Sequence, residues 1–183
     1  MTGRILLFDS PERFVAGTVG QPGERIFFIQ AQQGPRLISV SLEKSQVQAL
    51  AERLNFMLKE IRQSDPTIVI TRIARDDNPL STPIEEDFRV GIIGLAFDAE
   101  STQIQIDLQA IAEGDEEEPE FIDVDDLSND RDILRVRITP GMAEAFSKRA
   151  ISVVGAGRLP CPFCGGPIDP RGHLCPRANG YRR

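Results

Sequence analysis

The chain has 183 residues, 40% of them hydrophobic, and a net charge of −7 from 21 Lys and Arg against 28 Asp and Glu. That supports one ordinary core plus a small appendage. No apolar run reaches the ~18–20 residues of a membrane span and no signal-peptide pattern follows Met1, so a cytoplasmic protein without a membrane partner is expected.

The first forty residues read as strands. Ile5-Leu6-Leu7-Phe8 is a short apolar run ended by Asp9-Ser10-Pro11. Phe14 to Val19 and Arg25 to Ala31 flank the turn signal Gly20-Gln21-Pro22-Gly23 and predict a hairpin. Leu37 to Leu42 is a fourth strand candidate. Val47, Leu50, Ala51, Leu54, Met57, Leu58 and Ile61 then recur at helical spacing, which predicts a helix from near Glu43 to the residues before Asp65-Pro66.

Thr67 to Ile73 is β-branched and strand-like, whereas Asp76-Asp77-Asn78-Pro79 and Ser81-Thr82-Pro83 read as connecting loop. Val90 to Phe97 and Gln103 to Leu108, joined at Asp98-Ala99-Glu100-Ser101, predict a second hairpin. Residues 113–130 follow, with ten acids and no Lys or Arg, so the rest of the chain carries +3. This acidic insert is expected to be flexible and unneeded for the fold, with Phe121, Ile122 and Val124 as anchors for a partner. Ile133 to Ile138 predicts a strand and Met142 to Val154 a helix, with Pro140 in its first turn and Gly155-Ala156-Gly157 ending it.

The two halves resemble each other. Ile38 to Leu42 with Val47, Ala49, Leu50 and Arg53 aligns at an offset of 96 with Leu134 to Ile138 with Ala143, Ala145, Phe146 and Arg149. An internal duplication into two ββ-β-α halves follows, with residues 113–130 inserted in the second copy. The expected fold is α+β: a mainly antiparallel sheet from both halves, two covering helices, and a small C-terminal zinc knuckle. The boundaries are 1–157 for the α+β domain and 158–183 for the knuckle and its basic tail.

The clearest chemistry lies at the C-terminus, where all three cysteines fall between 161 and 175, a poor disulfide framework and a good metal cluster. In Cys161-Pro162-Phe163-Cys164-Gly165-Gly166, a C-x-x-C pair lets two thiolates meet one tetrahedral ion, and the glycines let backbone N–H groups face the sulfurs. His173-Leu174-Cys175 supplies two more donors. Four protein ligands, Cys161, Cys164, His173 and Cys175, would close the sphere of one structural Zn2+ and leave no position for water. A redox C-x-x-C opens a helix in a βαβ setting, which does not precede Cys161, and cysteines packed as small hydrophobes would not need the chain's single histidine beside them.

The Cys161-Pro162-x-Cys164-Gly165 pattern, paired with Gly172-His173-x-Cys175-Pro176-Arg177-x-Asn179-Gly180-Tyr181-Arg182-Arg183 and with the strand region Arg13 to Thr18, resembles an actinobacterial family of conserved proteins whose domain has no assigned function. The resemblance covers essentially the whole chain. It implies a cytoplasmic bacterial protein and no known activity.

An enzyme reading fares poorly, because the one histidine is spoken for and neither G-x-S-x-G nor G-x-x-x-x-G-K-[ST] occurs. A nucleic-acid module would use the tail, where five arginines against one acid give +4. Arg171, Arg177, Arg182 and Arg183 would grip phosphates and Tyr181 would stack a base, but the acidic body would repel a polyanion. The favoured reading is a non-enzymatic protein-interaction or regulatory module, with an α+β body presenting a zinc-pinned basic tail to a protein partner.

Overall fold

The computed structural model describes residues 3–111, 120–126, 130–157, 161–165, 168, 173, 175 and 177. Period-two alternation sets the inner face of its sheet. In the strand Ile26–Gln33, Phe27, Ile29 and Ala31 join the main core while Phe28 turns to a second cluster on the opposite face. Nine elements besides this one can be set in chain order: β1 (Ile5–Asp9), β2 (Arg13–Val19), then β3 just described, β4 (Arg36–Leu42), α1 (Lys44–Ser64), β5 (Phe88–Asp98), β6 (Gln103–Ala110), β7 (Glu120–Ile122), β8 (Ile133–Ile138) and α2 (Pro140–Gly155).

The strand order is β1-β8-β6-β5-β4-β3-β2, with β7 pairing on β5. Within each half the hairpin and the third strand are antiparallel, β2-β3-β4 before α1 and β5-β6-β8 before α2. The α+β class and the hairpin, strand, helix order of both halves are therefore as the sequence predicts. At the centre of the sheet β4 and β5 join the halves through two parallel pairs, Val40 with Phe88 and Ser41 with Arg89, and α1 and α2 pack together across them. β1 closes the far side in parallel with β8, a pairing the sequence pattern did not signal.

Both helices pack on the inner face. Val47, Leu50, Ala51, Leu54, Leu58 and Ile61 make the apolar stripe of α1, and the backbone N–H of Glu43 donates to Gln46 Oε1 at 2.8 Å to start it. The helix stops before Asp65-Pro66, as expected. Thr139 caps α2 by accepting from the Met142 N–H at 3.3 Å, with Pro140 in the first turn. Phe146 of α2 stacks on Phe14 of β2 with ring centroids 4.6 Å apart.

Two segments depart from the sequence reading. Thr67 to Ile73 forms no strand. Its backbone is a strap: Ile68 and Ile70 pack on the core and Val69 between them is 85% exposed, so strand-like alternation is present without a neighbour to pair with. The strap passes so close to Gly141 in the first turn of α2 that a Cβ there would lie 2.0 Å from the Thr71 carbonyl oxygen. It then crosses the outer face of β2-β3-β4, where Leu80 packs with Val15 and Phe28. Buried Gln30 holds it from both ends of its amide, accepting from the Ser81 N–H at 2.8 Å and donating to the Ser81 carbonyl at 2.9 Å.

The second departure is in the acidic insert, part of which takes regular structure. Glu120, Phe121 and Ile122 pair with Ile92, Ile93 and Gly94 of β5, and Val124–Asp126 forms one 3-10 turn. Phe121 and Ile122, expected to anchor on a partner, have their backbones paired in the chain's own sheet, while the Phe121 side chain is 38% exposed. The physical reason is an open edge: β4 pairs with β5 only at Phe88 and Arg89, so the backbone groups further along β5 need another partner. Residues 112–119 and 127–129 of the insert region lie outside the described residues.

Candidate metal centre

The donors are delivered by a tight turn. The Gly165 N–H closes it on the Cys161 carbonyl at 2.8 Å, and Gly165 takes a φ of +73°, a conformation glycine adopts at little cost. The backbone N–H groups of Cys164 and Phe163 then face the Cys161 sulfur. Those two bonds are the largest influences on its pKa, which is pulled down to about 6, so that the sulfur is held ready as a thiolate, the form that ligates metal.

Across the turn lie the other two donors. Cys161 Sγ is 3.7 Å from Cys175 Sγ, and Cys164 Sγ is 3.2 Å from His173 Nε2. The four donor atoms all fall within 4.8 Å of one another. A tetrahedral ion with metal–sulfur bonds of ~2.3 Å and metal–nitrogen bonds of ~2.0 Å has edges of about 3.8 Å between sulfurs and about 3.5 Å between sulfur and nitrogen. The Cys161–Cys175 and Cys164–His173 separations match these edges within a few tenths of an ångström, and all four donors are close enough to bind one metal ion. None of the three cysteines is in a disulfide, and Cys161 and Cys175 are buried.

The spacing signal thus brings together all four residues it selected. Of the binding residues expected in the tail, Arg177 is described: its Nη1 donates to the Phe163 carbonyl at 3.2 Å, tying Arg177 back to the turn between Cys161 and Cys164. Arg171, Tyr181, Arg182 and Arg183 lie outside the described residues. Phe163 at the turn's tip is 64% exposed.

Sequence reasoning missed two charged clusters in the body. Asp107 of β6 is fully buried and accepts from Arg135 of β8, Nε to Oδ1 at 2.9 Å. Arg149 of α2, 7% exposed, meets Asp76 of the strap and, through it, Arg13 of β2. A weak signal existed for Arg149, a charge three residues after Phe146 on the apolar stripe of its helix. Its acid partner sits 73 residues away on an irregular segment, where no periodicity points to it.

Together these features define a mixed α+β chain with a Cys3His cluster close enough to bind a metal ion. Residues 6–175 match the family described as protein of unknown function (DUF3090), and the chain belongs to that family. The matched span includes all four donors. No curated protein and no solved structure matches the chain. Among the described residues, no helix is long and apolar enough to cross a membrane.

Proposed function

We propose that Cys161, Cys164, His173 and Cys175 hold one structural zinc ion, and that residues 158–183 act as a zinc-pinned recognition knuckle on the α+β body of residues 1–157. The observation that carries this reading is the convergence of four donors within 4.8 Å of one another, two pairs of them at tetrahedral-edge distances. Three thiolates and an imidazole suit zinc, and a sphere filled by protein leaves no place for a reacting water, so the ion's role is structural. A segment of this size has too little core to fold unaided, so the metal supplies its folding energy.

What the metal pins is a surface for a protein partner. Phe163 stands exposed at the tip of the ligand turn, and exposed aromatics beside arginine are enriched at the centres of interfaces. The module is regulatory or adaptor-like: it binds and carries out no chemistry at the metal. Capture experiments with the full chain test this. The wild type should retain a partner that Phe163→Ala and Cys164→Ser both lose. Retention by both variants would contradict it, and salt-sensitive binding to bulk RNA or DNA in place of a protein would favour the nucleic-acid reading of the arginine tail.

A further inference from the structure

A cleft of about 650 Å³ lies between the turn that leads into β3, the first residue of α1 and the end of α2. Pro22 and Phe27 line it on one side and Val154 and Gly155 on another, and its volume is that of a small-molecule site. Its charges are of one sign. Arg25 and Lys44 line it, and no Asp or Glu is among the described residues that do.

The two cations share a rim, since Arg25, Phe27 and Lys44 also line an adjoining cleft of about 280 Å³. Neither side chain has an ion pair or a hydrogen bond among the described residues. The nearby acids do not change this. Glu43 is engaged by Arg89, Glu86 lines only the smaller of the two clefts and forms no ion pair there, and Glu24 lines neither. A cleft lined by one sign of charge concentrates its potential and raises the local concentration of opposite charge. Two like charges on one rim repel, so they contribute nothing to the fold, and an anion between them relieves the repulsion.

We propose that this cleft binds a free phosphorylated small molecule, a phosphomonoester whose phosphate is met by Arg25 and Lys44 and whose organic body lies against Pro22, Phe27 and Val154. Phosphate gathers two negative charges on one group, which suits two cations on one rim; a guanidinium offers it paired donors and an ammonium a compact point charge. A dicarboxylate spreads the same charge over two separate groups. The cleft is also larger than a bare phosphate fills, and its walls beyond the cations are apolar side chains and glycine backbone, so the ligand has a body as well as a charge. The site shares no residue with the metal ligands and is independent of the zinc reading.

The test is a titration of the full chain with phenyl phosphate at constant ionic strength, followed by amide chemical shifts, beside inorganic phosphate, succinate and benzyl alcohol. Phenyl phosphate should cause saturable shifts in residues 23–27, 44 and 154–157. Inorganic phosphate should act on the same residues about tenfold more weakly, and succinate and benzyl alcohol should not saturate. Lys44→Gln and Arg25→Gln should each weaken phenyl phosphate binding about tenfold, the loss expected for one charge-assisted hydrogen bond. Lys44 is exposed, so its replacement leaves the fold in place. No saturable response to phenyl phosphate would overturn the proposal, even if vesicles containing phosphatidic acid captured the chain. So would shifts confined to other residues, an equal response to succinate or to inorganic phosphate, or wild-type affinity in Lys44→Gln.

Discussion

A charge moved from water into a protein needs a partner close by, and the body of this chain depends on two such partnerships. Asp107 is fully buried and its carboxylate is met by Arg135, only part of which reaches solvent. Replacing the arginine would leave the carboxylate stranded, so Arg135→Leu should cost about 3 kcal/mol of stability, measured by urea denaturation at neutral pH. Asp76 gives a pH signature. Its hydrogen bond with Arg13, above all, holds its pKa below the ordinary 3.8. A carboxylate whose pKa is lowered on folding contributes stability that is complete well above 3.8 and is lost as pH falls through that value toward the lower folded one. Asp76→Asn should therefore be less stable than the wild type at pH 7, and the difference between the two should shrink as the pH is lowered from about 5 to 2, which thermal melts across that range would measure. The metal donors were legible at this scale because Cys and His at tight spacing have few alternative uses. Arg13, Asp76 and Arg149 were not, because charged residues are common on surfaces and only the fold showed which three meet.

Elements differ in how much their own sequence decides. Periodicity identified α1, α2 and both hairpins, since each has one face to bury and its pattern says which. It failed at Thr67 to Ile73, whose β-branched residues favour extended backbone but which pair with no strand, so no ladder forms. Contact with Gly141 is what holds this strap close. Gly141→Ala would put a Cβ 2.0 Å from the Thr71 oxygen, and should destabilise the protein by about 1–3 kcal/mol despite alanine's better helix propensity. A gain in stability on calorimetry would show that the strap is free to move aside. Gln30→Leu attacks the other end, leaving the Ser81 N–H without its acceptor and the Ser81 carbonyl without its donor. It should cost a further ~1–3 kcal/mol. The strand Glu120–Ile122 within the acidic insert was missed for a similar reason: composition speaks for its charge, but the vacancy along β5 that β7 fills is a property of the other strands.

At the level of the whole molecule, the sheet and its two helices supply the core, and on the reading proposed above the knuckle draws its order from chelation. The two sources of stability should therefore separate. Stripping metal with a strong chelator should abolish the ordered turn at residues 161–165 while the cooperative melting of the body stays within a few degrees of its original midpoint. The central claim, that one tightly held zinc ion organises the carboxyl end, is tested most directly by elemental analysis of purified protein after dialysis. The account predicts one zinc per chain in the wild type and almost none in Cys164→Ser. Metal-free wild type that keeps the same carboxyl-terminal structure, or full zinc retention by the variant, would contradict it.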